Sequence, residues 1–240
     1  MSSKRSIAVA ALLGATACAS ALCAQAMPGM DMSAAEGAMS GPLVPMAHMT
    51  MTTHGPVHAG DAARAAAIVD TVRGAIEKYR DYHVALGEGF TIFHAEIPQK
   101  VYHFTSRANA VRAWFTFDPS HPTSLLYRKT AGGYELAGAM FTAPKRYTRE
   151  ELNARVPVSV AQWHMHTNLC RPPKGEEHAL LPSGSTPPRF GLRGTITTER
   201  ECSAAGGHFM PTVFGWMVHV SPWETTPELV WGAHDEHSSR

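Results

Sequence analysis

The sequence predicts an α+β fold, with a largely antiparallel sheet or small barrel, an N-terminal helix and short additional helices. Three observations lead to this class. Short β-rich runs separated by turn residues fill residues 100–105, 111–117, 124–129, 134–142, 156–166 and 212–220. One long helical period precedes them, and two capping boxes mark short helices among them. Helices set before and between strands, without a βαβ rhythm, give α+β rather than a parallel doubly wound sheet.

The first helix is expected from Asp61, a residue suited to capping. Ala65, Ile68, Val69, Val72, Ala75, Ile76, Tyr79 and Leu86 then recur at helical spacing, with Arg73, Glu77 and Lys78 on the other side. Gly87 and Gly89 end that run. Asp118-Pro119 and Gly132-Gly133 punctuate the strands as turns. Thr148 with Glu151, and Thr198 with Glu201, each form the Thr-x-x-Glu signature of a helix start.

Ahead of this domain, residues 1–26 carry Lys4 and Arg5, an Ala-rich apolar run and a small-residue cleavage pattern at Ala24-Gln25-Ala26. That is the pattern of a secretory signal peptide, and the run is short for a membrane span. A lipid-anchored Cys18 is disfavoured because Ala15-Thr16-Ala17 lacks the bulky apolar residue such sites usually carry. The expected location is periplasmic or secreted. With a formal net charge of +1, nothing in the charge balance points to nucleic acid or an anionic membrane surface.

Residues 27–59 show neither helical nor strand period and are read as a flexible arm, leaving residues 60–240 as a single domain. Seven of the 12 methionines fall in the arm, which makes its composition chemically specific. Thioether sulfur is soft and selects Cu(I), while imidazole adds affinity for Cu(II). The clusters Met27-Pro-Gly-Met30-Asp-Met32 and Met46-Ala-His48-Met49-Thr-Met51 resemble the Met-rich segments of periplasmic copper-resistance and copper-trafficking proteins. That resemblance implies copper as the cofactor, and the alternative is a linker whose methionines have no role.

Export also bears on the cysteines. Cys18 and Cys23 leave with the signal peptide, so Cys170 and Cys202 remain, and an oxidising compartment most simply joins them. The alternatives are a free thiol, or Cys170 as a thiolate ligand following the histidines of Trp163-His-Met-His-Thr-Asn-Leu-Cys170.

In that stretch His164 and His166 are two residues apart, so on a strand they share a face with their Cα atoms about 7 Å apart. The same alternation in residues 212–220 puts Met217 and His219 on one face. If the two strands are neighbours, His219 completes a three-histidine set with Met217 nearby, a donor set suited to copper or, alternatively, to zinc. His103 and His208 are possible further ligands. The layout is similar to that of cupin barrels, but Asn168, Leu169, Cys170 and Arg171 stand where those carry a glutamate and glycines.

Residues 117–143 and 214–224 resemble an uncharacterised family of exported bacterial proteins. The resemblance covers most of residues 75–232, implies one domain and carries no activity. No Gly-x-Ser-x-Gly elbow, phosphate-cradling loop or haem-attachment motif occurs. The sequence therefore points first to exported copper binding or handling, with a metal ion as the only legible partner. A metal-dependent periplasmic enzyme, either a cupin-like oxygenase or a zinc hydrolase, is the alternative. A metal-free structural or partner-binding module is a third.

Overall fold

The computed structural model describes residues 47–95, 99–181, 183 and 186–232. The signal peptide expected at residues 1–26, and Met27, Met30, Met32 and Met46 of the arm, lie outside the described residues.

The expected first helix is formed as α1 (Asp61–Ile76), which buries Ala65, Ile68, Val69, Val72 and Ile76. It does not run on to Leu86. A 3-10 turn (Glu77–Arg80) follows, and α2 (Tyr82–Gly87) begins afresh where the Asp81 side chain accepts from the His83 amide. Asp81 has an extended backbone, so it ends one helix and caps the next. The cap of α1 is Gly60 in a left-handed conformation rather than Asp61. The Asp61 carboxylate instead accepts from the His58 amide at 3.0 Å and the Ser159 hydroxyl at 2.6 Å, which ties the helix start to a distant loop.

Seven strands follow in chain order: β1 (Met49–Met51), β2 (Thr91–Ile92), β3 (Tyr102–Thr105), β4 (Ser124–Thr130), β5 (Gly133–Ala143), β6 (His164–Arg171) and β7 (His208–Val220). They form one antiparallel sheet in the order β1-β6-β7-β5-β4-β3-β2. The sheet is open, with β1 and β2 at its edges, so the sheet and not the small barrel is the form adopted.

Two expected strands differ. Residues 111–117 contribute to a helix, α3 (Arg107–Ala113), which Ser106 caps by accepting from the Asn109 amide. Val111, Trp114 and Phe115 are exposed, so the apolar run that suggested a strand buries little. Residues 156–163 form no strand, because Pro157 heads a turn whose carbonyl accepts from the amides of Val160 and Ala161. Both capping-box helices are formed, as α4 (Arg149–Arg155) and α5 (Glu199–Ala204). Among the described residues no helix is long and apolar enough to cross a membrane.

Register divides the sheet into two unlike faces. On one, Tyr102, Phe104, Leu125, Tyr127, Ala139, Phe141, Val218 and Val220 join the buried residues of α1 and Trp163 in the main hydrophobic core. Such side chains each contribute roughly 1.5–3 kcal/mol on full burial. The opposite face of the same strands carries His103, Leu126, Met140, Met217 and His219. The helix therefore holds the hydrocarbon face and leaves the histidine face to other elements.

The connection from β6 to β7 is pinned by the disulfide Cys170–Cys202, with Cα atoms 5.5 Å apart and both cysteines fully buried. Cys170 is thus half of a bridge and is not a thiolate ligand. Closing a loop across 32 residues is worth about 3–4 kcal/mol in the chain-entropy account. A Cys170→Ser/Cys202→Ser double variant is expected to lose stability of that order in urea titrations, while thiol labelling of unfolded, unreduced protein detects no free thiol from this pair.

Candidate metal centre

His164 and His166 occupy alternate positions of β6, and β6 lies beside β7 in the sheet. His164 stands opposite Met217, and His166 opposite Val213. Two residues of β6 therefore span four of β7. The excess is absorbed around Phe214, whose φ is 64°, and Gly215. A Cβ on Gly215 would stand 2.0 Å from the Ala143 carbonyl oxygen, so only glycine lets β7 pass β5 at this irregularity. Across β7 and β5, Met140 faces His219. One strand further, Leu126 faces His103.

The result is a run of four adjoining imidazoles. Ring centroids are 5.9 Å apart for His103 and His219, 5.1 Å for His219 and His164, and 5.6 Å for His164 and His166. Their exposures are 1%, 5%, 1% and 0% for His103, His219, His164 and His166, so water is excluded from the whole run. Val101, Leu126, Met140, Met217 and the partly buried Phe214 pack together on this side of the sheet. As the side chains are set, no group of three or more His, Cys, Asp or Glu among the described residues stands in metal-holding geometry.

Burial lowers the pKa of both β6 histidines. That of His164 lies well below its ordinary value, because burial disfavours the charged ring and the neighbouring His166 and His103 add repulsion. That of His166 is lowered to about 4, again chiefly by burial. The His48 backbone lies near enough to favour the charged His166 ring without completing a hydrogen bond, and the His48 side chain opposes it. Nδ1 of His164 and both ring nitrogens of His166 have no well-formed hydrogen-bond partner. Neutral, buried imidazoles lacking the usual carbonyl or carboxylate partner are uncommon in a packed interior.

His208 does not join the run. It is exposed at the far end of β7, paired with Arg171, and stands eleven positions along the strand from His219, roughly 35 Å of rise. The end of the supposed arm departs further from expectation. Met49 and Met51 lie in the edge strand β1, opposite His166 and His164. His48 is buried beside it, its Nδ1 2.9 Å from the Asn168 carbonyl oxygen and its Nε2 2.7 Å from that of Gly194. Both ring nitrogens thus face backbone oxygens, so His48 acts as a clip and not as a ligand. A neutral ring donates to one of these carbonyls, and a protonated ring to both. The Thr52 amide donating to Trp163 and the Thr167 amide donating to His48 extend the edge pairing.

Met140 is the residue the sequence reading missed. Its signal was the alternation of residues 136–142, which sets Met140 opposite in facing to Ala139 and Phe141, but its place beside His219 needs the register of β5 on β7. Elsewhere, Asp118, Ser120 and His121 form a surface cluster. There Nδ1 of His121 is the atom facing both the Ser120 hydroxyl at 2.9 Å and the Asp118 carboxylate at 2.7 Å. A relay needs one ring nitrogen for each partner, so this is a turn and not a nucleophilic triad.

The buried imidazoles make acid stability predictable. Because the folded-state pKa of His166 is lowered from 6.5 to about 4, the unfolded chain takes up that proton first as pH falls. The stability is present above about pH 6.5 and is lost between there and pH 4, by roughly 3 kcal/mol for this ring. His164 contributes with the same sign. Urea midpoints of chelator-treated protein should be flat above pH 7 and fall below 6.5, with a shallower fall in His166→Asn.

In comparisons with protein families, curated proteins and solved structures, no family model, no curated protein and no solved structure matches this chain.

Proposed function

We propose that this chain is an exported copper-binding protein in which His164, His166 and His219, with His103 adjoining them, hold the ion. A Met/His-rich arm beginning at Met27 gathers it. The observation that carries this reading is the run of adjoining buried imidazoles, 5.1 to 5.9 Å between successive ring centroids. Imidazole nitrogens bind copper or zinc at about 2.0–2.1 Å, which sets two rings on one ion roughly 5 Å apart between centroids. Rotation of the rings about χ1 and χ2 is then the adjustment that binding requires. Lowered pKa values at His164 and His166 keep the metal-competent neutral form at physiological pH.

The alternatives fit less well. A satisfied structural histidine donates or accepts at its ring nitrogens, whereas His164 Nδ1 does neither. An oxygenase or zinc hydrolase needs substrate access and an acid or base at the ion, but these rings are at most 5% exposed. The charges felt by His164 and His166 are those of other imidazoles. An open sheet also removes the architectural support for a cupin-like barrel. Methionine beside histidine favours copper over zinc. Export rests on the sequence of residues 1–26.

Metal analysis of protein purified without a histidine tag tests the reading. Stoichiometric copper is expected in the wild type, and at least one equivalent is expected to be lost in His164→Ala/His166→Ala. The single His166→Asn variant serves should the double variant fail to fold, as judged by circular dichroism. Copper at background in the wild type, or unchanged copper in folded variants, overturns the proposal.

A further inference from the structure

Resting on that copper reading, we infer that Met51 and Met217 are thioether ligands to an ion at His164, making the centre a mixed imidazole and sulfur site selective for Cu(I).

The sheet register sets this arrangement. His164 on β6 has Met51 directly opposite on β1 and Met217 directly opposite on β7. Directly opposed residues on antiparallel strands project from the same face, with Cβ atoms about 4.5–5.5 Å apart. One imidazole is therefore flanked by two thioethers on three consecutive strands. Methionine has an unbranched side chain with three rotatable bonds, so both sulfurs can swing toward a point above His164 without backbone movement. Met217 is 1% exposed and lies within the packed side, whereas Met51 is half-buried on the edge strand.

The pairing recurs at each of the other two candidate ligands. Met49 is opposite His166, and Met140 is opposite His219. The other face of β4, β5 and β7 carries Leu125, Tyr127, Ala139, Phe141, Val218 and Val220 at the corresponding positions. Met165 and Met210 stand at the other alternation of β6 and β7, so methionine is not exclusive to the histidine side, and the particular feature is its direct pairing with each of His164, His166 and His219. The second, independent observation is His164 Nδ1, a buried ring nitrogen with no hydrogen-bond partner at the centre of the triple.

Charge decides the oxidation state. The donors here are neutral, and Cys170 is consumed by its disulfide, so it supplies no thiolate. A divalent ion in a buried neutral set retains its full double charge, and the cost of burying an ion grows with the square of that charge. Cu(I) carries one charge and is matched by soft sulfur, whereas Cu(II) and Zn(II) are penalised on both counts.

The test is an anaerobic Cu(I) titration of the mature full-length protein against a colorimetric Cu(I) chelator, for wild type and Met51→Leu/Met217→Leu. Zn(II) titrations run in parallel, with X-ray absorption on the half-loaded protein. Leucine conserves volume and apolarity, and the other arm methionines are identical in both proteins, so the difference isolates these two sulfurs. Cu(I) affinity is expected to fall at least about tenfold, the lower end of what loss of even an outer partner to a metal ligand costs. Zn(II) affinity is expected to stay within about threefold. The wild-type absorption should show nitrogen together with sulfur near the roughly 2.3 Å of metal–sulfur bonds, the sulfur contribution falling in the variant. Met51→Leu alone, at the half-exposed edge, gives the same readout if the double variant unfolds. Wild-type copper bound with nitrogen ligands only, or Cu(I) affinity unchanged by the substitutions, overturns the inference while leaving the copper reading standing. Absence of copper binding in the wild type overturns both.

Discussion

Desolvation of four adjoining imidazoles is the constraint on which the rest of this structure depends. Burial disfavours the charged form of His164 and His166, and at His164 the neighbouring His166 and His103 add repulsion to any proton taken up. The fold therefore holds the β6 pair neutral and the run close-packed while the opposite face of the same strands does the ordinary work of a core. It does so by separating the tasks. Helix α1 and the 3-10 turn that follows it pack on the aromatic and aliphatic face, through Ile68, Val72, Ile76 and Tyr79. The histidine face is left to Val101, Leu126, Phe214 and four methionines. Flexible thioethers fill space against rigid imidazoles without competing for their nitrogens.

Strand β6 links this face to the rest of the molecule. Within its eight residues it carries the His164/His166 pair, the Asn168 carbonyl that meets His48, and Cys170 of the disulfide. Asn168 has a φ of 56°, which the short polar side chain of asparagine tolerates, and its carboxamide donates to the Ala47 carbonyl. The edge strand β1 is thus held by side chains as well as by ladder bonds. That compensates for a length of three residues, too short to hold an edge by itself.

The part of this arrangement legible in the sequence is the part set by local periodicity. Alternation in β6 and β7 places His164 with His166 and Met217 with His219, and the capping boxes at Thr148 and Thr198 mark α4 and α5. What escaped depends on register between distant segments. Nothing in residues 47–51 reads as a strand, because their order comes from the edge of β6 and from His48, 120 residues away from its Asn168 partner. Tertiary context also overrode propensity where Asp81 divides the first helix and where residues 111–117, apolar but largely unburied, joined a helix instead of a strand.

Edge position gives β1 a particular part in how such a site is reached. The imidazoles are closed to water, and the half-buried Met49 and Met51 stand directly opposite the β6 pair. On the proposed reading, an ion entering from this edge would meet thioether sulfur before imidazole and so would not be left uncoordinated in the apolar interior. Access by that route would require β1 to part from β6. The contacts that hold it are three ladder residues, the Thr52 and Asn168 contacts, the Thr167 amide on the His48 carbonyl and the two carbonyls that face His48. Loss of those contacts alone would leave the helix-covered core of the other face in place, so such access would not require the domain to unfold.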